Sequence, residues 1–396
     1  MCAEFFNKIT ATVRTHEHWR SKCLNLIPSE NLTSPQVRAL LGSDFGHRYA
    51  WDEPWYGGQK YSIQIEKFAV EAAKQLFDAK YANVRPLSGH LSLMSVIMGL
   101  CQPNDPILIS HFKNGGYPLN LQARFPLDVH YIPYQVDQYT MDVAKTRELI
   151  ENASPKLVIL GASIFLQPHP VKELAKTAQD AGAVLVFDGS HVLGLIAGKQ
   201  FQNPFKEGAQ ILLGSTHKTF FGPQGGIVLV KDDMEVAEQI DLTLRPNPVL
   251  VDNYHLNRVA ALALSLAELL AFGEDYAKQV LTNAKELAQV LHKNGISVTG
   301  DKWGFTSSHQ VLLKTASFEE GIQMRDQLEK ADIIVDAGVR LGAQEVTRRG
   351  MKQGEMQEIA RLITQVLKEE EKPEKVKQAV HSLVQQFESV QYVFEN

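Results

Sequence analysis

A lysine lies in an unusual setting in the middle of this 396-residue chain. The apolar run 209–213 leads into a short stretch of hydroxyls, a histidine and glycines that contains Lys218. Glycines let a backbone approach a ligand closely, which favours a binding role for this lysine. Earlier in the chain the apolar run 183–187 ends in Asp188. A lone lysine is usually a solvated charge and a lone aspartate a helix or turn cap, but this ordered pair favours shared chemistry.

Lysine and aspartate at the ends of two buried strands suit pyridoxal phosphate. The lysine amine forms a Schiff base with the cofactor, and the aspartate keeps the pyridinium nitrogen protonated so that the ring accepts electrons. Ser88 and Gly89 stand just before an apolar helix predicted over 91–100. A hydroxyl and backbone N–H groups at a helix start favour a phosphate, although ordinary N-capping explains these two residues equally well when they are taken alone.

The elements around these residues alternate between strand and helix. Strands are predicted at 106–110, 129–133, 157–160, 184–187 and before Lys218, with helices at 143–151 and 171–181. This rhythm predicts a mostly parallel sheet covered on both faces, in which ligands bind at the carboxyl ends of the strands. A long helical segment follows over 254–293 with a break near Gly273, and short strands and helices then form a smaller α/β domain.

The chain is expected to divide into three parts. We expect an N-terminal helical arm over 1–34, a large domain over 35–273 and a small domain over 274–396.

Composition and charge limit the classes of partner and the cellular location that we expect. The net charge is −5 with basic and acidic residues interspersed, so no nucleic-acid partner is expected. Three scattered cysteines indicate neither a disulfide framework nor a metal site. With no signal-peptide pattern and no apolar run near membrane-spanning length, a cytoplasmic protein without a membrane partner is expected.

Five ordered motifs resemble those of serine hydroxymethyltransferases, which are fold-type I pyridoxal-phosphate enzymes. The family patterns are LIxSEN, ANVQPHSG, DxAHxxGLxAxG, THKTLRGPRGG and GIRIG…VTTRGM. Their counterparts in this chain span residues 26–31, 82–89, 188–198, 216–226 and 338–351. The resemblance implies an α/β fold-type I transferase with a large domain and a smaller C-terminal domain, and a small amino acid as its substrate.

The resemblance also implies roles for single residues. The residues implied in cofactor binding are Ser88, Gly89, Tyr117, Ser163, Asp188, His191, Ser215 and Lys218. Tyr117 stands where the family places a histidine stacked on the pyridine ring, and it lacks the proton chemistry of an imidazole. Ser29 and Arg340 would bind the substrate carboxylate, Arg340 as a bidentate fork. The residues implied in catalysis are Lys218, His217, Tyr49 and Glu53.

Three segments depart from the family pattern. Residues 49–58 are shorter than the family segment YAEGYPGKRYYGG, so either Asp52 or Glu53 is the candidate for its acid–base glutamate. Residues 333–337 run almost directly into Gly338, without the long insertion that contributes to the family's tetrahydrofolate site. The family's QGGP phosphate contact from the partner subunit is also missing near 251–255, where Asn253, Tyr254 or His255 is the candidate replacement.

Three functions stay open at this level. The first is interconversion of serine and glycine with tetrahydrofolate as a second cofactor. The second needs no folate: a β-hydroxy-amino-acid aldolase, a transaldolase, an α-substituted-serine hydroxymethyltransferase or a racemase. The third is a non-catalytic homologue that binds a partner, against which the retained Lys218, Asp188 and Arg340 argue. The resemblance further implies a homodimer in which Tyr49 reaches the site of the other subunit.

Overall fold

The computed structural model describes residues 2–51, 55–119, 125–135, 139–245 and 250–395. The chain divides into two compact units. The first, which we call the central unit, comprises residues 31–278 and 392–396, and the second, the terminal unit, comprises residues 1–30 and 279–391. Residues 1–30 of the segment expected to form a separate arm therefore group with the C-terminal part of the chain, while the assignment of domains as such stays a prediction.

The strands and helices are given in chain order. The strands are β1 (Leu24–Asn25), β2 (Tyr81–Asn83), β3 (Pro106–Ile109), β4 (Asp128–Tyr131), β5 (Tyr134–Gln135), β6 (Thr140–Met141), β7 (Leu157–Gly161), β8 (Val184–Asp188), β9 (Ile211–Ser215), β10 (Gly226–Val230), β11 (Gln310–Leu312), β12 (Ile333–Ile334) and β13 (Arg340–Gly342). The helices are α1 (Cys2–Lys22), α2 (Pro35–Leu41), α3 (Lys60–Phe77), α4 (Gly89–Leu100), α5 (Val143–Ala153), α6 (Val171–Asp180), α7 (Leu193–Ala197), α8 (Pro204–Glu207), α9 (Met234–Asp241), α10 (Leu256–Lys293), α11 (Phe318–Lys330), α12 (Gln344–Arg348), α13 (Gln353–Leu367) and α14 (Pro373–Val384). Short 3₁₀ turns occur at Asp44–His47, Phe112–Asn114 and Asp301–Trp303.

The core of the central unit is a seven-stranded sheet in the order β2-β10-β9-β8-β7-β3-β4. Every neighbouring pair from β9 to β4 is parallel, and β10 runs antiparallel to both of its neighbours. Strands β9 and β10 are buried along their whole length, as expected for strands inside a sheet with two covered faces. The mostly parallel sheet predicted from the sequence is therefore present, with one antiparallel strand that the pattern did not indicate.

The helices that cover this sheet are amphipathic. In α6 the buried side chains are Val171, Leu174 and Ala178, which follow the helical repeat and leave the polar residues outside. Helix α5 begins with the side chain of Asp142 accepting a hydrogen bond from the Lys145 N–H at 3.1 Å. These local signals explain why the helices between the strands are well predicted from the sequence.

Helix α10 runs without interruption from Leu256 to Lys293, so the predicted break near Gly273 is wrong. A side chain at Gly198 would place its Cβ only 2.2 Å from the carbonyl oxygen of Gly273, so the two backbones pass very closely. Close approach, and not chain reversal, accounts for a small residue here. By length and composition α10 is apolar enough to cross a membrane, contrary to our expectation, but 61% of its apolar window is buried within the protein.

The terminal unit contains two small pairs of strands, β1 with β12 in parallel and β11 with β13 antiparallel. Asp332, directly before β12, contacts three surrounding side chains. Its carboxylate accepts a hydrogen bond from the Trp19 indole at 2.9 Å, and it contacts the Lys377 ammonium at 3.0 Å and the His381 ring at 2.7 Å. This cluster attaches α1 to α14 within the unit.

Candidate active site

Asp188 and Lys218 both follow strands that are neighbours in the central sheet. Strands β8 and β9 are parallel, with Asp188 opposite Leu213, and β9 ends at Ser215. The carboxyl ends of parallel strands meet at one edge of a sheet, which brings the two segments together. A pocket at this edge, which we call the lysine pocket, is lined by Gly89, His90, Leu93, Tyr117, Ala162, Ser163, Asp188, Ser190, His191, Ser215 and Lys218.

Ser190 connects the two strand ends. Its backbone N–H donates to the Asp188 carboxylate at 2.9 Å, and its hydroxyl oxygen accepts from the Ser215 N–H at 3.1 Å. The Gly189 N–H donates to the carbonyl of Leu213 at 2.8 Å. These bonds fix the position of the Asp188 carboxylate relative to the segment that carries the lysine.

The segment after Lys218 is held on two sides. The Thr219 hydroxyl donates to the His191 carbonyl at 2.7 Å and accepts from the Gly194 N–H at 3.1 Å. The Asn31 amide donates to the Lys218 carbonyl at 2.6 Å. It also contacts the Tyr276 hydroxyl at 2.9 Å, which donates to the Thr219 carbonyl at 3.0 Å. The lysine thus extends from a backbone with little freedom to move.

Helix α4 begins at the pocket. Ser88 is its N-cap, and the Ser88 hydroxyl accepts from the Leu91 N–H at 3.2 Å. A Cβ on Gly89 would lie 2.2 Å from the Ser215 hydroxyl and 3.1 Å from the Ser215 backbone nitrogen, so the absence of a side chain lets the helix start lie this close to the end of β9. Backbone N–H groups of a helix start beside serine hydroxyls form an anion-binding arrangement.

The electrostatics of the pocket favour a positively charged partner for Asp188. Burial raises the pKa of the Asp188 carboxyl, although the Ser190 hydrogen bonds and the charge of Lys218 act in the opposite direction. Burial, and then the negative charge of Asp188, also raise the pKa of the Tyr117 phenol. A carboxylate that is partly withdrawn from water gains most from a hydrogen-bonded cation, which a protonated pyridine nitrogen provides.

His217 precedes the lysine but is not among the residues that line the pocket. Burial and the neighbouring Lys218 charge lower its pKa to about 4, so the imidazole is neutral at physiological pH. Within the described part of the chain its Nδ1 atom is buried and has no hydrogen-bond partner. A neutral imidazole is suited to hydrogen bonding with a ligand and not to holding an anion by charge.

The other predicted site residues lie elsewhere. Tyr49 is 52% exposed, with its ring 5.7 Å from that of Tyr56. Glu53 and Asp52 lie outside the described residues. Ser29 and Arg340 belong to the terminal unit, where the Arg340 guanidinium is paired with Asp336 at 2.7 Å.

Sequence reasoning missed four residues that line the pocket, the apolar Leu93 and Ala162 and the polar His90 and Ser190. The His90 ring lies 5.8 Å from the Tyr117 ring, measured between centroids. His90 directly follows Ser88 and Gly89 of the predicted phosphate site, and this position in the sequence could have indicated that it lines the pocket. Ser190 follows Asp188 within the same motif, but its contact with Ser215 depends on strand pairing.

These residues fit pyridoxal phosphate. The pocket combines a lysine amine, a carboxylate for the ring nitrogen, an aromatic ring for stacking and a helix start with adjacent serines for the phosphate. Among the described residues no group of three or more histidine, cysteine, aspartate or glutamate side chains is arranged to hold a metal ion.

Comparisons with known proteins agree with a pyridoxal-phosphate site. The family model of serine hydroxymethyltransferase matches residues 3–363. The chain belongs to the serine hydroxymethyltransferase family. Two relatives named serine hydroxymethyltransferase are similar to this chain. The protein from Korarchaeum cryptofilum is 43% identical to it, and the protein from Methanopyrus kandleri is 41% identical to it. The alignments cover 99% of this chain in both cases, and 98% and 96% of the relatives.

A solved structure shows the same fold. The crystal structure of an L-threonine transaldolase from Pseudomonas fluorescens, in its internal aldimine state, superposes with a TM-score of 0.92 and 28% sequence identity. The match covers 100% of this chain and 95% of that one. Together with the family match it confirms the predicted fold-type I α/β class and an enzyme of the hydroxymethyltransferase or aldolase type. Membership of the serine hydroxymethyltransferase family implies pyridoxal phosphate as the cofactor and an amino acid as the substrate.

Proposed function

We propose that this protein transfers the hydroxymethyl carbon of serine to tetrahydrofolate, giving glycine, and catalyses the reverse reaction. The observation that carries the proposal is the lysine pocket, in which Lys218, Asp188 and His191 meet beside the start of α4. The match to the serine hydroxymethyltransferase family over most of the chain supports the choice of substrate.

Bound in this pocket, pyridoxal phosphate supplies an electron sink for the charge left at the α-carbon when a bond there breaks. Lys218 would hold the cofactor covalently through its amine, and Asp188 would keep the ring nitrogen protonated. Ser88, Gly89 and Ser215 would bind the phosphate, and Tyr117, Ser163 and His191 would contact the ring. The hydrogen bonds from the Ser190 backbone N–H to Asp188 and from the Asn31 side-chain amide to the Lys218 carbonyl keep these two residues in place.

A second set of residues is proposed to bind and orient the substrate. Arg340 and Ser29 bind the α-carboxylate, so that the bond to be broken is fixed in one orientation. Asp52 or Glu53 accepts the proton of the substrate hydroxyl. His217, neutral because burial lowers its pKa to about 4, donates or accepts a hydrogen bond to position the substrate.

The first test measures L-serine cleavage to glycine by the pyridoxal-loaded protein with and without tetrahydrofolate. We expect strong acceleration by the folate. Lys218→Ala protein serves as the control for cleavage outside the pocket. Cofactor binding with no effect of folate would reject this function in favour of the alternative below.

The second candidate is a folate-independent transaldolase or aldolase acting on β-hydroxy-amino acids. The shortened segments 49–58 and 333–337 favour it, as does the likeness to the threonine transaldolase fold. The test supplies L-threonine or L-serine with a set of aromatic and aliphatic aldehydes in the absence of folate. New β-hydroxy-amino acids formed faster than glycine in the folate assay would establish this reading.

We further propose that the protein is a cytoplasmic homodimer without nucleic-acid or membrane partners. Helix α1 has no buried residue in the single chain and exposes Phe5, Phe6, Ile9 and Val13. An exposed apolar stripe at helical spacing supports a subunit contact. Light scattering of the purified protein tests the dimer, and a monomeric mass would reject it.

A further inference from the structure

The turn before β13 folds the Asp336 carboxylate onto the Arg340 guanidinium. Asp336 Oδ2 accepts from Arg340 Nε at 2.9 Å and lies 2.7 Å from Nη2. Its other oxygen accepts from the Arg340 backbone N–H at 3.3 Å. One carboxylate therefore binds both the side edge of the guanidinium and the backbone from which that side chain extends.

The backbone of this turn is adapted to the pair. A Cβ on Gly338 would lie 3.2 Å from the nearer Asp336 oxygen. Val339 is fully buried and has a φ of 46°, which is rare for a β-branched residue and persists only where the surroundings enforce it. The Arg340 and Asp336 side chains are 18% and 23% exposed, so water screens this pair less than a surface pair.

We propose that Asp336 is a positioning residue that orients Arg340 to bind the carboxylate of the amino-acid substrate. The inference rests on the proposed function, in which Arg340 is the carboxylate-binding residue. A guanidinium offers two edges to carboxylates, a side edge of Nε with one Nη and an end edge of the two Nη atoms. Asp336 takes the side edge, so a substrate carboxylate at the end edge does not displace it.

The connection between β12, which ends at Ile334, and β13, which begins at Arg340, is short. The short connection leaves a local residue, four positions before the arginine, to hold the side chain. Fixing the guanidinium before the substrate arrives reduces the conformational entropy lost on binding. If Asp336 instead competed with the substrate for Arg340, removal of the Asp336 carboxylate would strengthen the binding of the substrate carboxylate.

The experiment compares the pyridoxal-loaded wild-type protein with Asp336→Asn, Asp336→Glu and Arg340→Lys. Calorimetry measures the binding of glycine and of ethanolamine, an amine that lacks the carboxylate. We expect Asp336→Asn to weaken glycine binding about tenfold, as misplacement of a binding group does, and to leave ethanolamine binding unchanged. The KM for serine should rise by a similar factor while kcat changes little, and Asp336→Glu should restore part of the affinity.

Glu358→Gln is the matched control, because it removes another carboxylate that pairs with an arginine, Arg361, in the terminal unit. It should leave glycine binding unchanged. Unchanged or tighter glycine binding in Asp336→Asn overturns the inference, as does equal weakening of glycine and ethanolamine. If Arg340→Lys weakens glycine binding but Asp336→Asn does not, the inference alone fails. If Arg340→Lys has no effect either, the proposed role of Arg340 fails with it.

Discussion

Lys218 extends from a segment fixed by Asn31 and Thr219, and its amine is the nucleophile that the proposed chemistry requires. We predict that Lys218→Ala lowers serine cleavage at least about a thousandfold, as the loss of a covalent catalytic group does. The visible absorption band of the lysine-bound cofactor should disappear as well. Circular dichroism shows whether the variant is folded, and a folded variant with normal turnover would contradict the assignment.

His169 is the second residue whose chemistry can be tested. It is buried against Phe165, with ring centroids 4.0 Å apart, and burial lowers its pKa to about 3. The native protein therefore keeps this ring neutral, while the unfolded chain protonates it below its ordinary value near 6.5. The unfolded state binds more protons, so this histidine reduces stability as the pH falls from 6.5 towards 3.

We predict that His169→Phe makes the protein less sensitive to acid. Phenylalanine retains the stacking on Phe165 and removes the titrating group. Between pH 7 and pH 5 the free energy of unfolding of the variant should fall by about 2 kcal/mol less than that of the wild type. Urea unfolding at the two pH values measures the difference. The exposed His16→Phe is the control, and equal acid sensitivity of His169→Phe and wild type would contradict the predicted cause.

At the scale of elements, α7 and the lysine segment meet at a glycine. A Cβ on Gly194 would lie 2.2 Å from the Thr219 carbonyl oxygen, a backbone atom that no rotamer change can move. We predict that Gly194→Ala lowers the free energy of unfolding by about 2 kcal/mol, as overpacking does, and weakens cofactor binding by displacing the lysine. Chemical unfolding and cofactor titration measure the two effects.

Gly354→Ala is the control for this prediction. Gly354 lies in α13 with no atom within 4 Å of its added Cβ, so alanine should leave stability unchanged or raise it by up to about 1 kcal/mol. Equal behaviour of the two variants would show that the close contact at Gly194 is not essential.

Some helices and strands of this protein are easier to predict from the sequence than others. The bounds of α5 and α6 agree within two residues with the predicted ranges 143–151 and 171–181, because caps and apolar periodicity are local properties. Strand β10 was not predicted, although it lies between β2 and β9 in the sheet. Its apolar residues follow the glycines after Lys218 directly, and only pairing with distant strands distinguishes it from a loop.

At the scale of the whole molecule, the proposed dimer makes a sharp prediction for mixed subunits. If Tyr49 acts in the site of the other subunit, a mixed dimer of Lys218→Ala and Tyr49→Ala chains contains one intact site. Mixing equal amounts under conditions that exchange subunits should restore about a quarter of the wild-type activity, the statistical share of intact sites in a symmetric dimer. Activity no higher than that of the two separate variants would place Tyr49 in its own subunit's site.

The family, the fold class and the order of the chemical groups can all be read from the amino-acid sequence. Apolar runs that end in Asp188 and near Lys218 are local features, and in a parallel sheet they must open at one edge. The segment 49–58 shows the limit, since its shortened pattern does not decide between Asp52 and Glu53.

Which of these groups lie in contact depends on the tertiary structure. The contact of His90 with Tyr117 and the pairing of Ser190 with Ser215 join residues from different elements. The continuous course of α10 through Gly273 depends on the close approach of Gly198. Such contacts depend on strand register and on the distance between backbones, and a residue's type and its near neighbours specify neither.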